Sequence, residues 1–129
     1  HARFDGDATP ADVDRAVCGW RDAVRERRAT EQAWPAWINI PSKVGQVAAV
    51  RAVARERRED DLRRDILVAS VCPGMIDTGA SRPWFTDMSR AQTPDQAAGP
   101  LLDLALQTSS DPAFYGELVR FGEVLPWKP

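Results

Sequence analysis

The sequence has 129 residues, 43% hydrophobic and 28% charged, with a net charge of −2, which is the size and composition of one soluble globular domain and too little chain for two. The near-balanced charge gives no general pull toward nucleic acid or an anionic membrane, and no apolar run approaches the roughly 18 residues of a membrane span. His1 is the only histidine, so Ser-His-Asp, Cys-His and His-bearing zinc sites are nearly excluded within this chain.

In chain order, Thr9-Pro10-Ala11-Asp12 reads as a helix start: Thr caps, Pro occupies the first position and an acid sits in the first turn. Val13, Ala16, Val17, Trp20 and Val24 then share a face, which predicts a helix from about Pro10 to Arg27 with a basic end. Ala29 to Ile40, with Trp34-Pro35 and Trp37, reads as a connection. A second helix is expected from about Pro41 to Arg58 on Val44, Val47, Ala48, Val50 and Ala54, and the mixed-charge tail Arg55 to Arg64 as its solvated end. Ile66 to Cys72 is a nearly continuous apolar run between charge and Pro73-Gly74. It reads as a strand buried on both faces, of the parallel-sheet type. Pro83 to Met88 is a loop with bulky apolar side chains. Thr93-Pro94-Asp95-Gln96 is a capping box that opens a helix to about Gln107, with Gly99-Pro100 inside it. Phe114 to Phe121 holds a last short strand before a tail ending at Trp127. Helix-helix-strand-helix-strand contains the grammar of an α/β parallel sheet, yet two strands are far fewer than such a sheet needs, so the chain reads as part of a larger one. A start at His1 rather than Met fits a trimmed or incomplete product, and no signal peptide opens it.

Three local features carry chemistry. Lys43 lies in a first helical turn, where the macrodipole disfavours a cation, and Gly45 nearby costs roughly 1 kcal/mol against Ala. Lys43 is either a working residue or an exposed lysine, and Gly45 either a close-approach position or a tolerated glycine. Pro73-Gly74 follows the apolar strand, where open α/β sheets bind ligands, or is a plain turn. Arg82, Trp84, Phe85 and Met88 follow in a loop that either covers a substrate or packs on the core. Cys18 and Cys72, far apart and in no metal-ligand spacing, read as buried free thiols in a reducing cytoplasm, and no metal is implied.

In combination, Trp34-Pro35, Ser42-Lys43-Val44-Gly45, the apolar run and Cys72-Pro73-Gly74-x-Ile76-x-Thr78 resemble the second half of a short-chain dehydrogenase/reductase of the monomeric carbonyl-reductase type. The match runs over nearly the whole chain. It rests on the order and spacing of the motifs rather than on any single one. The resemblance implies a fold class: the C-terminal part of a Rossmann-like, doubly wound parallel sheet. It divides the chain into a helical insertion over 1–33 and a catalytic-helix and substrate-loop half over 34–129, together one incomplete domain. It also implies NADP(H) or NAD(H) as cofactor and a small carbonyl or alcohol substrate, apolar or aromatic given the loop. Lys43 matches the lysine of the Tyr-x-x-x-Lys motif, which holds the nicotinamide ribose and lowers the tyrosine pKa. Pro73 and Gly74 match the turn beside the nicotinamide, and Ile76 and Thr78 the groups that hold its carboxamide. Arg82, Trp84, Phe85 and Met88 match the substrate loop, with Arg82 able to meet an anionic group. Asn39, Lys43 and Thr78 should then converge at one end of the sheet.

The departures are as informative. Asn39 stands where the catalytic tyrosine belongs, and an amide gives up no proton near neutral pH, a loss of ~10²–10⁴-fold in rate. No G-x-G-x-x-G run occurs, so a missing N-terminal Rossmann half, or a partner supplying it, is implied. Tyr115, the single tyrosine, reads as structural. Three readings therefore stand: an oxidoreductase fragment, a non-catalytic binding or regulatory protein on the same scaffold, and an unrelated helical interaction module built on the arginine-rich helices. The apolar run at Ile66 to Cys72 argues against the third.

Overall fold

A computed structural model describes residues 2–4, 7–35, 37 and 39–127, and His1 lies outside them. A 3-10 turn at Ala2–Phe4 precedes α1 (Pro10–Arg25), α2 (Asn39–Arg63), β1 (Ser70–Val71), α3 (Pro94–Ala105), β2 (Leu118–Arg120) and β3 (Glu123–Leu125). Both helix starts signalled by a Thr-Pro pair form as capping boxes. Thr9 and Asp12 exchange bonds at the head of α1, as do Thr93 and Gln96 at the head of α3. α3 continues through Pro100.

The helix ends are less legible, because none carries glycine. Arg27 (φ 57°) after α1 and Asp65 (φ 54°) after α2 take a left-handed conformation, as does Ala33 (φ 56°) in the turn between the two helices. In each case the next amide reaches back five residues: Arg28 N–H to the Ala23 carbonyl at 2.8 Å, Trp34 to Ala29 at 2.9 Å, and Ile66 to Asp61 at 2.9 Å. This is the Schellman closure, which usually recruits glycine. Without that signal, α2 runs on past the expected end at Arg58. Its last turns are laced by Arg57–Asp61 (3.0 Å), Arg63–Glu59 (2.9 Å) and Arg64–Asp60 (3.6 Å). The tail is therefore helix, and not all of it is solvated.

The main apolar cluster joins Phe4, Val13, Ala48 and Ala52, with Ala16, Val17, Val44 and Trp127 packed around them. α1 lies on the N-terminal half of α2. Gly45 is the contact point: a Cβ there would sit 2.8 Å from Val17 Cγ2. The glycine is required by close approach. Phe4 and Val13 each stabilise by about 1.5–3 kcal/mol through burial, while the alanines chiefly let the helices come close.

The sheet overturns the expected fold class. Among the described residues it has three strands in the order β1-β2-β3. β1 runs parallel to β2, pairing Ser70 with Leu118 and Val71 with Val119, and β3 is antiparallel to β2. This is a small mixed sheet, not the doubly wound parallel sheet that the motifs implied. The reason lies at Phe121 (φ 51°) and Gly122 (φ 79°). Two consecutive positive φ values form a tight hairpin turn, so the chain doubles back after one parallel crossover instead of adding another. The expected long strand is also cut down. Only Ser70–Val71 is laddered, with flanking bonds from Gly116 N–H to the Val68 carbonyl (2.7 Å) and from Cys72 N–H to the Val119 carbonyl (2.9 Å). The run from Ile66 to Cys72 is half-buried throughout, not enclosed on both faces.

No helix among the described residues is long and apolar enough to cross a membrane, and none of their His, Cys, Asp and Glu side chains group as a metal site. Cys18 and Cys72 are free and half-buried.

Candidate functional site

Asn39 opens α2 and is exposed, and its carbonyl accepts the Ser42 hydroxyl at 2.9 Å. Lys43 lies one helical turn on, also exposed, with its Nζ 3.3 Å from Gln46 Oε1. At the far end of β1, Pro73 and Gly74 form a turn with Gly74 at φ 78°, a conformation that suits glycine.

Beyond that turn the chain makes a pinned excursion. Gln92 N–H donates to the Met75 carbonyl at 2.9 Å and Asp77 N–H to the Gln92 carbonyl at 2.8 Å, so both ends of the loop are clamped through the Ile76–Gln92 bridge. Inside it, Thr78 and Ser81 close a local box. Thr78 N–H donates to Ser81 Oγ (3.0 Å), Ser81 N–H to Thr78 Oγ1 (3.2 Å), and the Ser81 hydroxyl to the Ile76 carbonyl (2.6 Å). Thr78 is thus committed to shaping the loop, and no hydrogen bond among the described residues joins it to Asn39 or Lys43. Arg82 Nε lies 2.6 Å from Asp77 Oδ1, and the guanidinium holds that carboxyl below its ordinary range. Arg82 is therefore engaged within the loop rather than extended toward an anion.

The loop meets the head of α2 through aromatic rings. Trp37, two residues before Asn39, lies edge-on to Phe85 with centroids 6.5 Å apart. Trp37, Ile40, Trp84 and Phe85 are all exposed, Trp84 by 74%, while Met88 is half-buried. The loop thus borders the Asn39–Lys43 turn with an open apolar surface. Trp34 is buried, and its indole N–H has no protein partner among the described residues.

Tyr115 is far from this surface in role. It is 3% exposed and donates to Asp61 Oδ2 at 2.8 Å. Asp61, fully buried, also receives Arg57 through both oxygens at 3.0 and 3.2 Å. The Arg57 and Tyr115 hydrogen bonds hold the Asp61 carboxyl low, while burial and the neighbouring carboxylate push the phenol up to about 12. This polar cluster ties α2 to the segment before β2. Sequence reasoning missed Asp61; its one signal was the i,i+4 spacing from Arg57.

No protein-family model matches the sequence, and no curated protein is significantly similar to it.

Proposed function

We propose that the chain is a piece of an NADP(H)-dependent oxidoreductase of the short-chain carbonyl-reductase type, contributing the lysine-bearing helix and the substrate loop. The observation that supports this best is the Trp37–Phe85 contact, which sets the loop after Pro73-Gly74 beside the turn of α2 that carries Asn39 and Lys43. A carbonyl compound with an apolar or aromatic body suits the exposed Trp84, Phe85 and Trp37. The chain's residues suit only the nicotinamide end of a dinucleotide. Lys43 is exposed, and a ribose hydroxyl would compete, among the described residues, only with Gln46 Oε1 for its ammonium, while Pro73, Gly74, Ile76 and Thr78 border the loop base. The pyrophosphate end, which a glycine-rich helix start would hold, falls to a partner or a further segment. A reducing, cytoplasmic setting fits the two free thiols.

Within this reading, a second is favoured by Asn39. An exposed amide at the proton donor's place fits a binding or regulatory role without hydride transfer. One experiment separates the two. NADPH oxidation is followed with aromatic aldehydes and quinones for the chain completed with a dinucleotide-binding half, with and without Asn39→Tyr. The enzyme reading expects a rise of ~10²-fold or more on introducing the tyrosine. An unchanged rate overturns it and leaves the binding role.

A further inference from the structure

We infer that the hairpin tip and the Pro73-Gly74 turn together form a binding site for a small organic oxyanion with a flat apolar body. A depression of 510 Å³ lies there, lined by Met75, Arg90, Gln92, Arg120 and Phe121. The lining side chains play no part in the oxidoreductase reading, which uses only the adjoining Pro73-Gly74 turn, so binding measured without a nicotinamide cofactor stands or falls apart from that reading.

Charge is the first observation. Most arginines in this protein pair with a carboxylate or bond a backbone carbonyl; Arg27, Arg90 and Arg120 take part in no ion pair among the described residues, and of these Arg90 and Arg120 share one depression. Glu123 is the cross-strand neighbour of Arg120 and still makes no such pair. Two guanidiniums at one depression, neither in an ion pair among the described residues, favour an anion, and their planar forks suit carboxylate or phosphate oxygens.

Convergence is the second. Around the point where a Cβ on Gly74 would stand, Phe121 Cζ is at 3.1 Å, Gln92 Nε2 at 3.3 Å and Arg120 Nη2 at 3.6 Å. Gln92 is anchored there by donating to the Pro73 carbonyl at 3.2 Å. Arg120 stacks over the Phe121 ring, its Cζ 5.0 Å from the centroid. The ring attracts the guanidinium, and no hydrogen bond among the described residues occupies its N–H groups.

The third observation is the identity of Phe121. It occupies a left-handed position (φ 51°) in a turn type where Asn or Gly is favoured. An aromatic ring held there, 46% exposed, offers a flat apolar wall, with Met75, 37% exposed, among the other lining residues. The ligand's body would lie on that wall and its oxyanion on the two arginines.

The test uses the full chain, without nicotinamide cofactor, and three probes: 2-naphthoate, 2-naphthyl phosphate and the neutral 2-naphthylmethanol. Binding is followed by calorimetry. Both anions, or one of them, should bind at a single site; which one does identifies the head group. The neutral probe and the Arg90→Gln/Arg120→Gln protein should each show binding weaker by roughly tenfold or more, as expected on losing charge-assisted hydrogen bonds. Phe121→Asn should weaken binding while raising the urea midpoint, because Asn accepts the left-handed conformation. That opposite pair of changes separates a ligand wall from a merely structural ring. Absence of binding by both anions, equal binding of the neutral probe, or unchanged binding in the double variant would overturn the proposal.

Discussion

Replacing Gly45 by Ala sets two effects of similar size against each other, and the geometry decides the sign. Alanine in a helix interior is favoured over glycine by roughly 1 kcal/mol. The new methyl, however, would lie 2.8 Å from Val17 Cγ2, with Phe4 Cζ at 3.9 Å behind it. Valine in a helix has essentially one χ1 rotamer, so Val17 in α1 is unable to swing aside, and the relief must come from moving the helices apart. Overpacking of this kind costs typically 1–3 kcal/mol. Gly45→Ala should therefore destabilise by about 1 kcal/mol net. In a Val17→Ala background the clash is gone and the propensity gain stands alone, so the same change should stabilise by about 1 kcal/mol. The coupling across the cycle is then about 2 kcal/mol, within the range seen for residues in contact. The assay is urea unfolding of the four proteins, followed by helix signal and tryptophan fluorescence. Stabilisation by Gly45→Ala in the parent protein, or an equal effect in both backgrounds, would refute the close-approach argument.

Two further expectations are independent of that interface. As the only tyrosine, Tyr115 can be titrated alone by tyrosinate absorbance: its midpoint should lie near 12 rather than 10.0, and Asp61→Asn should lower it. Because the folded-state value is raised, the associated stability is present below pH 10.0 and lost as the pH rises toward 12; a midpoint near 10 in the folded protein would show that the phenol is not held by Asp61. Ala33→Gly should raise the urea midpoint by the equivalent of about 0.5–1 kcal/mol, since glycine takes the left-handed position without a Cβ penalty, and a lower midpoint would contradict that.

Local chemistry in the sequence sufficed for the helix starts. A side-chain oxygen at Thr9 or Thr93 satisfies an orphan amide three residues on, and proline at the next position needs no partner, so these signals act without tertiary help. The apolar run at Ile66 to Cys72 likewise marked the place of β1, and the single-residue reading of Tyr115 as structural agrees with its burial against Asp61. What tertiary structure decided is of another kind. Whether Gly45 was tolerated or required depended on Val17, 28 positions away in the chain and in another helix. The end of α2 depended on Asp65 taking a left-handed conformation, which aspartate tolerates but signals far less strongly than glycine, and on Asp61 finding Arg57 and Tyr115. The sheet's character turned on Phe121-Gly122, a dipeptide with a weak turn signal compared with Asn-Gly, whose reversal puts β3 antiparallel beside β2. Strand pairing is a property of two segments and the turn between them, and a pattern read along one segment cannot fix its neighbour's direction. The candidate loop shows the same division. Its bulky residues were visible in sequence, but only the fold brought Phe85 against Trp37, bound Arg82 to Asp77, and set Arg90 and Arg120, outside any ion pair among the described residues, at the mouth of the Pro73-Gly74 turn.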